Sequence, residues 1–102
     1  MGRQVFLSQE ALKDLEAIVA FIAAHDPQAA ERVGLQPTGA AFALAIFAER
    51  GRVVPEFQHP DLREVVARSY RVIYRIHPAD GAVEVIRFWH AARGFPHIPT
   101  GE

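Results

Sequence analysis

The stretch from Tyr70 to His90 limits the possible folds of this chain more than any other. Tyr70, Val72, Tyr74 and Ile76 occupy every second position, so an extended backbone sets them on one face, expected to pack against helices. Arg71, Ile73, Arg75 and His77 fall on the other face. Pro78, Ala79, Asp80 and Gly81 then supply turn residues, and AVEVIRFWH returns as the antiparallel partner. LREVVARS, just upstream, reads as a further strand feeding this hairpin. The segment before it, RVVPEFQHP, carries two prolines without backbone donors and is expected to be a loop.

Nearer the N-terminus the apolar spacing lengthens to that of a helix. RQVFL forms a short strand, closed by Ser8, whose side chain suits a helix N-cap, and Glu10 lies in the first turn where the helix dipole favours an acid. Ala11, Leu12, Leu15, Ile18, Val19 and Ile22 recur at three- and four-residue steps, while Lys13, Asp14 and Glu16 sit mostly off that stripe. Asp26 can cap a second helix, with Pro27 at its first position, where the missing N–H would have had no partner. The two make a helical hairpin. Pro37, between Gly34 and Gly39, is expected to kink or break the second helix, with Thr38 recapping the continuation AAFALAIFAER and Gly51 closing it. From Ala40 to Ala48 that continuation is apolar on every side, more than a small domain encloses, so a partner is expected to cover part of it.

Composition narrows the function classes. The 102 residues, half of them hydrophobic, suit one compact domain over the whole chain. Without cysteine there is neither a disulfide framework nor a thiolate metal site, and a reducing cytoplasm is the expected compartment. The longest uncharged run, Val33 to Ala48, is too short and too interrupted by Gly34, Pro37 and Gly39 to span a bilayer, and the N-terminus has no apolar signal core. A net charge of −1 hides an asymmetry: residues 63–101 hold six arginines against three acids. The planar guanidinium fork suits bidentate binding of phosphate or carboxylate. The alternative is that these arginines only solubilise the sheet.

No GxSxG, HExxH or Walker loop is present, and the five histidines show no spacing that would place two on one metal, so neither metal nor cofactor is implied. What remains is the cluster around RFWHAAR. Arg71 opens one strand and His90 closes the next, so antiparallel pairing is expected to bring them together with Arg93 in a water-facing cationic patch. Such a group would neutralise a phosphodiester, with His90 moving a proton near neutral pH. The competing reading is structural: Trp89 packs, His90 caps the strand end, and the arginines pair with Glu56, Glu64 or Glu84.

The chain resembles the RelE/ParE superfamily, the toxin halves of type II toxin–antitoxin modules, through ALKDLEAIVAFI, GRVVPE, LRE, YRVIYRI and VEVIRFWHAAR. The resemblance implies an α+β fold of order β-α-α-β-β-β, a helical hairpin on a small, mainly antiparallel sheet, in agreement with the element order above. It implies growth inhibition or plasmid stabilisation, with neutralisation by a cognate antitoxin. Two branches differ in target. The RelE-like branch cuts messenger RNA on the ribosome, and its working arginines match Arg71 and Arg93, while its strand lysines and C-terminal tyrosine are missing here. A related nuclease pattern uses a glutamate before the sheet, an arginine and a C-terminal histidine, for which Glu56, Arg71 and His90 are candidate catalytic residues. The ParE-like branch binds DNA gyrase and is the favoured reading. In either, Arg63, Arg71, Arg75, Arg87 and Arg93 would face the target. The antitoxin would occupy an apolar groove formed by Ile18, Ile22, Phe42, Ile46 and Phe47, in a heterotetramer or beside a toxin homodimer. A non-toxic interaction module is the third reading.

Overall fold

The computed structural model describes residues 2–57 and 59–98, with the backbone alone for His25, Pro27 and residues 29–36. The order is β1 (Val5–Leu7), α1 (Gln9–His25), α2 (Pro27–Phe47), β2 (Arg52–Val53), β3 (Leu62–Ala67), β4 (Tyr70–Ile76) and β5 (Val83–His90). Short 3-10 turns, Ala48–Arg50 and Ala91–Arg93, follow α2 and β5. The sheet runs β1-β5-β4-β3-β2, with β1 parallel to β5 and every other pair antiparallel. This is the expected α+β architecture with one more strand: Arg52–Val53 pairs with Arg63 and Glu64 at the sheet edge. The prolines of RVVPEFQHP follow that strand instead of interrupting it, so they do not forbid it.

β1 is only three residues long, and side chains extend its ladder. Ser8 accepts from the Ala11 N–H as N-cap of α1 and donates its hydroxyl to the Ile86 carbonyl at 2.9 Å. Six residues on, the Asp14 carboxylate accepts from the Phe88 N–H at 3.1 Å. The helix is thereby docked on β5 by two polar side chains where the strand that precedes it has ended.

The sheet is covered on both faces. On the helix side, Ala11, Ile18, Ala41 and Leu44 pack against Val72, Tyr74, Val83, Val85 and Phe88. Burying about five such large side chains supplies on the order of 10 kcal/mol, the main force holding the hairpin to the sheet. Tyr74 is fully buried, and its hydroxyl donates to the Ala48 carbonyl and accepts from the Gly51 N–H. A Cβ at position 51 would overlap that hydroxyl and the Glu64 carbonyl. Gly51 is therefore required by close approach; its backbone is extended (φ −69°, ψ 151°), not left-handed as a helix-ending glycine would be. On the other face Val54, Leu62, Ile73, Ile86, Trp89 and Ile98 form a second, smaller core, closed by the segment around Phe57 and the C-terminal tail. Phe57 meets Phe95 edge to face at 5.3 Å, joining the two.

One expectation about α2 is corrected. The helix is continuous from Pro27 to Phe47, and Thr38 lies inside it, not at a cap. Pro37 forfeits a backbone bond, but its ring is fully buried, and two buried methylenes return about 1.6 kcal/mol.

Candidate functional site

Four charged side chains from three strands and a turn join at the β3–β4 end of the second face. Glu64 on β3 is 1% exposed, and a bare carboxylate there would be prohibitively unstable. It is held by two arginines: Arg71 Nε donates to Oε1 at 2.6 Å, and Arg52 Nε and Nη2 donate to Oε2 at 2.7 and 2.6 Å. The remaining nitrogens of Arg71 fork onto both carboxylate oxygens of Glu56 in the turn after β2. The result is an alternating chain, Arg52–Glu64–Arg71–Glu56, in which every charge has an opposite neighbour. The Glu56 bond is the main reason that Arg71 holds its proton more tightly than an ordinary arginine, with burial opposing. Reciprocally, Arg71 holds the Glu56 carboxyl below the usual carboxylate range.

The expected water-facing cluster of Arg71, His90 and Arg93 does not form. The strand ends do meet, with Tyr70 opposite His90 and Arg71 opposite Trp89. The side chains point apart because of a β-bulge: Ile73 pairs with Arg87 and Tyr74 with Val85, leaving Ile86 as an extra residue. Without it, His90 would share the Arg71 face. With it, Phe88 and His90 turn to the helix side, where His90 meets Tyr70 edge to face at 5.1 Å. Its Nδ1 accepts from the Ala92 N–H, capping the last 3-10 turn. Trp89 packs in the second core, its Nε1 donating to the Gly94 carbonyl, with the Arg93 guanidinium 3.9 Å from the ring centroid. The structural alternative for RFWHAAR describes these residues.

Arg87 is also not a surface cation. It is 9% exposed and forks onto Asp14 of α1 at 2.7 and 2.8 Å while donating to the His97 carbonyl, tying helix, strand and tail together. The Asp14 bond raises its pKa against the effect of burial. Asp14 is none of the acids, Glu56, Glu64 or Glu84, that the sequence offers as mates for the arginines; Glu84 instead meets His77 at 2.9 Å. Arg63 donates to the Gly51 carbonyl. Arg75 stays partly exposed and Arg93 exposed, so of the five arginines expected to face a target only these two and Arg63 reach water.

The apolar set divides as well. Ile18 is buried at 8% exposure and is not open to a partner, whereas Ile22 is half-buried against the same core. Phe42, Ile46 and Phe47 are 55%, 74% and 52% exposed, large apolar surface at the end of α2. Among the described residues no group of three or more histidines and carboxylates gathers around a common point that could hold a metal ion, and no helix is long and apolar enough to cross a membrane.

The comparisons with known proteins agree with this hairpin-on-sheet fold and give the class: a type II toxin–antitoxin toxin of the RelE/ParE superfamily. The model of the ParE toxin of the type II toxin–antitoxin system parDE matches residues 5–95, and the chain belongs to that family. It is similar to Toxin RelE2 of Caulobacter vibrioides, 42% identical over 90 residues that span 88% of this chain and 97% of the relative. Among solved structures, a chain of the chromosomal ParDE system from P. aeruginosa superposes with a TM-score of 0.72 at 16% identity, covering 86% of this chain and 95% of that one. The RelBE2 toxin–antitoxin complex from Mycobacterium tuberculosis contains a chain similar at a TM-score of 0.62 and 20% identity, covering 88% and 99%. Both share the fold.

Proposed function

We propose that the chain acts in the cytoplasm as a single toxin domain that arrests growth by binding a protein target, DNA gyrase, and that a cognate antitoxin silences it. One observation carries this reading: Arg71, the arginine matched to the ribonuclease branch, is used up in bonds to Glu56 and Glu64 and lies across the sheet from His90. In-line attack by a 2′-hydroxyl needs an acid, a base and a charge clamp around one phosphate. Arg71 and His90 cannot share one. The ParE family match favours the same target, and exposed Phe42, Ile46 and Phe47 suit coverage by an antitoxin. Purified protein added to a gyrase supercoiling reaction should inhibit it and accumulate cleaved DNA complexes; unchanged supercoiling at saturating protein would reject the target.

The second reading, a ribosome-dependent endoribonuclease, is favoured by the name of the 42% identical relative, RelE2. Under it, induction would cut transcripts within translated codons, and His90→Ala would abolish the cuts.

A further inference from the structure

Strands β3 and β4 are joined by two residues only: Ala67 pairs with Tyr70, which leaves Arg68 and Ser69 as the loop. The tight turns that fit such loops need a positive φ at the first position, which glycine, asparagine and aspartate adopt most readily. Arg68 sits there at φ 56°, and among the described residues no other non-glycine residue has a positive φ. Strain of this kind persists where the side chain is needed. The fold does not need it: Arg68 is exposed and makes no hydrogen bond, ion pair or ring contact among the described residues.

The surroundings of the loop say what the side chain meets. The Ser69 carbonyl accepts from the Ala91 N–H at 2.8 Å, which sets the loop against the Ala91–Arg93 turn. Arg93 is exposed, lies over the Trp89 ring and has no ion pair among the described residues. Val66 flanks the loop on β3, and the Trp89–Gly94 bond brings Phe95 back to this end; they are 60% and 65% exposed. No carboxylate occurs in residues 65–79 or 85–101, and Glu56 and Glu64 are already held by Arg71 and Arg52. This end of the sheet therefore carries positive charge beside apolar surface, with no internal mate for the charge.

Magnitude separates the two kinds of partner that such an end could meet. Two unpaired arginines would neutralise about two phosphates, far short of the roughly 6–10 contacts of a strong DNA binder. A protein interface, by contrast, draws most of its strength from one or two arginines ringed by apolar contacts. We infer that Arg68 occupies a position suited to glycine because it contacts the target protein, pairing with surface carboxylates together with Arg93 while Val66 and Phe95 pack beside them. The inference rests on the gyrase reading above and adds the residue, the end of the molecule and the charge of the surface met.

The test uses the full chain in the gyrase supercoiling reaction. Arg68→Gly relieves the backbone and removes the charge, so its thermal midpoint should lie at or above that of the unsubstituted chain while about tenfold more protein is needed for half-inhibition. Arg68→Lys keeps both strain and charge and should inhibit within about threefold of the unsubstituted chain. Lys13→Gln, which removes an exposed cation from α1, should stay within about twofold. Inhibition by Arg68→Gly within about twofold of the unsubstituted chain overturns the inference and leaves the gyrase reading intact. So does a lowered midpoint for Arg68→Gly, which would assign the arginine to the fold, or an equal loss in Arg68→Lys, which would exclude charge pairing. Binding of the unsubstituted chain to the plasmid without gyrase, abolished in Arg68→Gly, would make the partner a nucleic acid and overturn it too. No inhibition by the unsubstituted chain would instead reject the gyrase reading, and this inference with it.

Discussion

Glu64 satisfies two guanidinium groups from a position with almost no contact with water, so its loss strands charge on both sides. Glu64→Gln should destabilise the chain by about 3–5 kcal/mol in a denaturant titration. Glu56 sits at the partly exposed end of the same chain of charges, and Glu56→Gln should cost less, about 1.5–3 kcal/mol. That difference should depend on pH. Because Arg71 lowers the folded-state pKa of Glu56 below 4.5, the stabilisation is complete above that value and is lost as pH falls through the folded-state value. Unfolding midpoints of the unsubstituted chain and of Glu56→Gln should therefore converge as the pH is lowered below about 4.5. At the core, Tyr74→Phe removes the partner of both the Ala48 carbonyl and the Gly51 N–H, and should cost about 2–4 kcal/mol by the same titration.

Elements followed their local signals wherever the signal was local. Ser8 caps α1, Pro27 starts α2, and Tyr70, Val72 and Tyr74 face the helices as their alternation requires. Two features escaped because they depend on contacts far along the chain. The bulge at Ile86 leaves no mark in VEVIRFWH, since a strand with apolar residues on both faces reads alike in either phase, yet it decides which side His90 occupies. The second core likewise comes from segments rich in proline and glycine that fold over the Arg71 face, so that face reads as solvent-exposed in the sequence. Pro37 is the exception among local signals. Proline is worth about 3 kcal/mol less than alanine inside a helix, whereas here its buried ring returns about 1.6, so Pro37→Ala should raise stability by about 1 kcal/mol, seen as a higher thermal midpoint.

For the molecule as a whole, covering both sheet faces has a functional consequence. The arginine-rich half of the sequence keeps only part of its charge at the surface, because Arg71 and Arg87 are spent on Glu56, Glu64 and Asp14. What the molecule shows outward is apolar surface on α2, an open strand edge and scattered exposed arginines, which suit holding another protein. The central claim is that growth arrest comes from binding a protein target without RNA cleavage. Mapping transcript 5′ ends across the cell before and after induction tests it most directly. Arrest should set in with no new ends inside translated codons; codon-phased ends that appear with induction and vanish in His90→Ala would contradict it.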